Sequence, residues 1–161
     1  MKKFITYVAV ALGVAGYNVI TNADRDDSGA IISEGSVGAF QIREGDCFDH
    51  TGDAYSTENG EVSSLPGVPC SAPHDNEVFA VFDVNMASFP GADEMNELVF
   101  DTCMERFEPF VGRDYESSAL DIMTLYPSED SWKQKNDREV VCAVYDMDSN
   151  KLKGTAKGRG L

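Results

Sequence analysis

The sequence is poor in the residues that most catalytic and nucleic-acid-binding sites use. It contains two histidines and one tryptophan, and 13 lysines and arginines stand against 28 aspartates and glutamates. The resulting formal charge of −15 argues against a nucleic acid as partner, because its phosphates would be repelled. No C-x-x-C pair and no glycine-rich nucleotide loop is present. The composition therefore indicates no reaction and no cofactor, and predicts a protein that is not an enzyme.

The longest uncharged run is at the amino terminus. Residues 4–20 follow Lys2 and Lys3 and precede the acidic residues that begin at Asp24. As a helix this run would be about 25 Å long, at the short end of what spans a bilayer. Lysines before it and acids after it predict a single-pass protein of the cell membrane with its body on the extracytoplasmic side. Segment 1–23 is thus either a membrane anchor or a cleaved signal, and cleavage would make the protein secreted.

Cysteine is present in an even number, at positions 47, 70, 103 and 142. In an oxidising compartment such a set favours disulfide bonds. Cys47 and Cys70 bracket a stretch rich in Gly, Asp, Ser and Thr, which is typical of a loop. Cys103 falls in a predicted helix and Cys142 in a predicted strand. We therefore favour the pairs Cys47–Cys70 and Cys103–Cys142, although the spacing leaves the other pairings open.

The rest of the sequence predicts one α+β domain. Residues 24–38 are acidic and rich in small residues, which is typical of a linker. Apolar residues recur at three- and four-residue steps over residues 93–110, which predicts one long helix. Strands are predicted at residues 39–48, 61–70, 77–84, 119–126 and 139–145. These elements suggest a four- to five-stranded, mostly antiparallel sheet packed by the helix and preceded by the apolar helix of the amino terminus.

From residue 43 to residue 158 the sequence resembles the actinobacterial septum-formation family. The resemblance is carried by the segments 45–48 (GDCF), 68–79 (VPCSAPHDNEVF), 89–91 (FPG), 107–112 (FEPFVG), 125–132 (LYPSEDSW), 137–142 (DREVVC) and 153–156 (KGTA). It implies a cell-envelope domain connected with septum formation and cell division, over residues 39–161 with a short basic tail. It transfers no catalytic residues.

Three residues are candidates for binding, each with a structural alternative. His74 and Asp75 lie in a polar turn and could hold a small ligand or a metal, or His74 could simply cap the turn. Trp132 could offer a platform to a ligand or anchor the core. A zinc site made by Cys47, Cys70 and the two histidines is disfavoured by the oxidising compartment.

The predicted function is that of an exported, membrane-anchored envelope domain that acts by binding. Its expected partners are the membrane, through residues 4–20, and envelope or division proteins or wall polymer. The alternatives are an envelope hydrolase with an unrecognised carboxylate site and a small-ligand-binding module.

Overall fold

The architecture is α+β and is built on a six-stranded antiparallel sheet. The structure is a computed structural model, and it describes residues 22–50 and 62–161. The strands are β1 (Gly35–Gly38), β2 (Cys47–Phe48), β3 (Ser64–Val68), β5 (Asn76–Asp83), β6 (Leu120–Leu125) and β7 (Glu139–Asp146). Their order across the sheet is β1-β3-β2-β5-β7-β6. Two further strands, β4 (Pro73–His74) and β8 (Leu152–Lys153), form a small antiparallel sheet of their own.

The sheet has more strands than the four or five predicted. The additional strand is β1, which lies in the segment predicted as a linker and pairs with β3 at the edge of the sheet. Its sequence, Gly-Ser-Val-Gly, has a single apolar side chain, so the alternation that marks a half-buried strand is missing. Of the predicted strand 39–48 only β2 pairs in the sheet, because residues 39–41 form a turn of 3₁₀ helix.

The long helix α1 (Ala92–Val111) covers one face of the sheet. Its buried residues are four apart along the chain: Met95, Val99, Cys103, Phe107 and Val111. This spacing places them on one side of the helix, against alternate residues of β7 such as Val140, Cys142 and Val144. The helix continues through Pro109 to Val111, one turn further than the proline suggests, and ends where Gly112 takes a left-handed conformation with φ of 82°.

The opposite face of the sheet is covered by the segment that includes residues 24–38. Ile31 and Val37 are buried there beside Phe48, Leu65 and residues of β7. Arg25 pairs with the buried carboxylate of Asp46 through two hydrogen bonds of 2.6 and 2.7 Å. An extended acidic tether was expected here. Residues 35–38 instead join the sheet as β1, and Ile31 packs into the core on its second face.

The predicted single-pass localisation in the cell membrane is corrected by the structure. Across residues 22–50 and 62–161, no helix combines the length and the apolar composition that a membrane span requires. The long helix α1 does not qualify because its outward side carries Glu94, Glu97 and Asp101. Residues 4–20, on which the prediction rests, lie outside the described residues, as does the expected apolar helix.

Both predicted disulfides are present. Cys47 pairs with Cys70 with a Cα–Cα distance of 5.2 Å, and Cys103 pairs with Cys142 at 5.8 Å. The first bond closes the chain around the segment 48–69. The second joins α1 to β7 inside the core, where both cysteines are completely buried.

Candidate functional site

An open groove lies where the short helix α2 (Glu129–Gln134) meets the ends of β6 and β7. We call it the α2 groove; it is lined by Ala39, Phe40, Val62, Thr124, Leu125, Tyr126, Pro127, Ser128, Ser131, Lys135, Asp137, Glu139 and Val141. Ser128 begins α2 by accepting a hydrogen bond from the Ser131 amide at 3.0 Å. This cap places the polar start of α2 beside the apolar end of β6.

Two aromatic side chains stand exposed beside the groove. Phe40 is 59% exposed and Tyr126 is 40% exposed. Large aromatic residues are enriched at protein interfaces, because they bury much apolar area at a low cost in conformational entropy. The groove therefore combines an accessible apolar lining with polar groups.

Two carboxylates, Asp137 and Glu139, belong to the lining of the groove. Asp137 accepts hydrogen bonds from the Ser131 hydroxyl at 2.9 Å and from the Glu139 amide at 3.1 Å. Burial raises the pKa of Glu139, and repulsion from Asp137 and Asp83 adds to the increase. Proximity of two carboxylates with unequal environments is a feature of some acid–base sites.

The Trp132 side chain extends from α2 into the core and does not line the groove. Its indole is 4% exposed and packs edge-on against Phe89, with a centroid distance of 5.8 Å. The Arg138 guanidinium lies 3.5 Å from the centre of the indole ring system. Trp132 is therefore positioned as an anchor of the core, which was the alternative to its being a platform for a ligand. A binding role for Trp132 stays a prediction.

A second polar cluster is buried where β4 and β5 meet the carboxyl-terminal segment 151–161. His74 is 0% exposed and Glu77 is 2% exposed. The Thr155 hydroxyl and the Ala156 amide donate to the two oxygens of Glu77, each at 2.5 Å. This carboxylate therefore holds the carboxyl-terminal segment onto the sheet.

The His74 ring has a defined tautomer and one nitrogen without a partner. Its Nδ1 is 2.8 Å from the carbonyl oxygen of Ala72, which only accepts hydrogen bonds, so Nδ1 carries the proton. Nε2 is buried and has no hydrogen-bond partner. One ring nitrogen of His74, Sγ of Cys47 and a carboxylate oxygen of Glu77 all lie within 4.8 Å of one another. These residue types can ligate a metal ion, but in this structure Cys47 is held in a disulfide.

Asp75 lies at the surface beside this cluster. It pairs with Lys151 at 2.9 Å and accepts a hydrogen bond from the His50 amide at 2.8 Å. Lys151 also pairs with Asp49 at 2.7 Å, so the basic end of the chain is tied to the acidic surface. These bonds and the charge on Lys151 hold the pKa of Asp75 below its usual range despite partial burial.

The structure brings some of the predicted site residues together and separates others. His74 is the last residue of β4 and Asp75 follows it directly. Both residues lie next to segment 151–161. Among the described residues, no hydrogen bond, ion pair or ring contact joins Trp132 to either of them. Sequence reasoning missed Phe40 and Glu139 as site residues. Glu77 could be suspected from the sequence as a partner of His74, because it follows His74 by three residues.

Comparison with known proteins gives one result. A family model described as septum formation matches residues 40–159 of the chain. This range includes the α2 groove, except Ala39, and the whole His74 cluster. No curated protein and no solved structure matches the chain.

Proposed function

Because the chain belongs to the septum-formation family, we propose that it acts in cell division as a binding domain and not as an enzyme. The family match over residues 40–159 is the observation that carries this proposal. The two disulfides support a site of action in an oxidising compartment, since cytosolic thiols are kept reduced.

Among the described residues, the two fully buried carboxylates have structural roles, which supports binding over catalysis at those two positions. The buried carboxylates of Asp46 and Glu77 each have structural hydrogen bonds, to Arg25 and to segment 151–161 respectively. Neither lines the α2 groove. A hydrolase would need a carboxylate pair that faces substrate, and these two are each committed to holding the fold.

The binding face we propose is the α2 groove. The partner is a protein segment that places an apolar side chain between Phe40 and Tyr126 and a basic side chain against Asp137 and Glu139. Charge complementarity supports this choice, because the chain has a net charge of −15 and would repel an acidic segment. Exposed aromatic residues supply the anchor positions that usually dominate binding energy.

The proposal is tested by replacing both exposed aromatic residues with alanine. The unmodified full chain should bind a division protein in cell-envelope extracts, and we expect the double variant Phe40→Ala/Tyr126→Ala not to bind it. The same difference should appear when the purified division protein is mixed with each purified chain. Stability should change by no more than about 0.5 kcal/mol per site, because both side chains are exposed. Calorimetry of the purified pair gives the affinity.

The matched control is Met147→Ala, which removes an apolar side chain that is 56% exposed in the turn after β7. This variant should bind the division protein as the unmodified chain does. Equal binding by all three proteins would place the interface elsewhere and overturn the groove assignment.

A second candidate function, hydrolysis of wall polymer, is favoured by the raised pKa of Glu139 beside Asp137. One variant, Glu139→Gln, separates the two functions. If the protein is a binding domain, the amount of polymer product released should be no lower with Glu139→Gln than with the unmodified chain. The variant should also be more stable than the unmodified chain at neutral pH, because the folded state disfavours the charged form of Glu139. That gain should vanish as the pH falls below the ordinary pKa of glutamate, where both states are protonated. Polymer hydrolysis by the unmodified chain that Glu139→Gln abolishes would establish the hydrolase instead.

A further inference from the structure

The buried cluster around His74 has the donor atoms of a metal site that the disulfide keeps closed. We propose that reduction of the Cys47–Cys70 bond creates a zinc site whose ligands are Cys47, Cys70, His74 and Glu77. Cys47 Sγ, a His74 ring nitrogen and a Glu77 oxygen already lie within 4.8 Å of one another. Cys70 Sγ is one sulfur–sulfur bond from Cys47. Two thiolates, an imidazole and a carboxylate are a set that tetrahedral zinc accepts.

The orientation of His74 is that of a metal ligand. A ligating histidine usually donates its second ring N–H to a backbone carbonyl or a carboxylate, which fixes the ring and its tautomer. His74 Nδ1 donates in this way to the Ala72 carbonyl at 2.8 Å. Nε2 then presents a lone pair in a fully buried position without a hydrogen-bond partner. A buried polar atom without a partner is costly, and coordination of an ion would remove that cost.

Glu77 is held in place from its other side. Thr155 and Ala156 each donate a hydrogen bond to one of its oxygens. Each carboxylate oxygen has a second lone pair, so Glu77 can keep both bonds and still ligate an ion. The hydrogen bonds of the ligands to Ala72 and to segment 151–161 therefore form the outer shell that orients such a site.

The two disulfides differ in their access to a reductant. Cys70 is partly exposed, whereas Cys103 and Cys142 are completely buried. A dithiol would therefore attack the Cys47–Cys70 bond first. The two sulfurs of the dithiol become a disulfide, and its two electrons and two protons pass to Cys47 and Cys70. Zinc binding then releases both thiol protons, because thiolates are the ligands.

The test is to titrate Co²⁺, which reports tetrahedral thiolate ligation by its visible and charge-transfer absorption, into the full chain. The chain is used oxidised, and again after mild treatment with dithiothreitol that is removed under anaerobic conditions. Thiol titration and peptide mapping establish that Cys47 and Cys70 are the reduced pair. We expect one Co²⁺ per reduced chain, displaced by Zn²⁺, and none per oxidised chain. Absence of this signal in the reduced chain, or an equal signal in the oxidised chain, would overturn the proposal.

The two histidines supply a matched pair of variants. His74→Gln should abolish the tetrahedral signal, whereas His50→Gln should leave it unchanged because His50 is exposed and outside the cluster. Cys70→Ser should halve the thiolate-to-cobalt absorption, since one of two sulfur ligands is lost. Circular dichroism accompanies each titration. If a reduced chain loses its fold, recovery of the native spectrum on adding Co²⁺ supports the site, and failure to recover rejects it. Binding that survives His74→Gln also rejects it.

Discussion

Replacing Cys103 and Cys142 with alanine is expected to lower the free energy of unfolding by about 4 kcal/mol in the chain-entropy model of a disulfide. The bond joins residues 39 apart in sequence, so its removal gives the unfolded chain many more conformations. Both sulfur atoms also lie in the fully buried contact between α1 and β7, and their loss leaves a cavity there. Urea denaturation followed by circular dichroism measures the change in free energy.

The matched control for this variant is the double substitution Cys47→Ala/Cys70→Ala. This bond closes a shorter loop, with a sequence separation of 23, and the same model predicts about 3 kcal/mol. Cys70 is also only partly buried, so less packing is lost. A smaller loss for Cys103→Ala/Cys142→Ala than for this control would show that the core disulfide does not dominate the stability of the fold.

Glu77→Ala is expected to destabilise the protein by about 3 kcal/mol, because a partly buried hydroxyl and a buried backbone amide lose a charged acceptor. Those donors are the Thr155 hydroxyl and the Ala156 amide. Loss of these two hydrogen bonds should first free the carboxyl-terminal segment. The other contacts of this segment include the short pairing of β8 with β4. Hydrogen exchange followed by mass spectrometry should therefore show that Glu77→Ala accelerates exchange over residues 152–160 more than it accelerates exchange over α1.

The control for Glu77→Ala is Glu105→Ala, which removes an exposed carboxylate from α1. Its effect should stay within about 0.5 kcal/mol, as is usual for surface positions. If Glu77→Ala left exchange over residues 152–160 unchanged, the two hydrogen bonds to Glu77 would not be what holds the segment. The segment would then be held by its other contacts, which include β8, Lys151 and the hydrogen bonds that the Gly158 and Gly160 amides donate to the carbonyl oxygens of Phe110 and Val111.

The long, strongly patterned elements were predictable from the sequence. Helix α1 was predicted at 93–110 and occupies Ala92–Val111, and the strands predicted at 77–84 and 139–145 are β5 and β7. Helix α1 buries side chains at a regular four-residue spacing, and β5 and β7 each contain a continuous run of five buried residues. Helix α2 also has a start that the sequence makes recognisable, because Ser128, Glu129 and Asp130 follow Pro127.

The short strands could not be predicted. Strands β4 and β8 have two residues each, too few for any periodicity to appear. They form because residues 73–74 and 152–153 are brought together by the fold, far apart in sequence. The same reason applies to the α2 groove, where Phe40 and Tyr126 come from opposite ends of the sheet order, beside β1 and β6.

The sequence by itself determined the α+β class, the acidic surface, the family and the preferred cysteine pairs. These follow from composition, local periodicity and motifs, which neighbouring residues express without reference to the rest of the chain. Only the tertiary structure decided that Glu77 holds residues 155 and 156, and that a ring nitrogen of His74 lies within 4.8 Å of Cys47 Sγ and of a Glu77 oxygen. Contacts between residues nearly eighty positions apart depend on strand order and register, and these are set by how the whole chain buries its apolar surface.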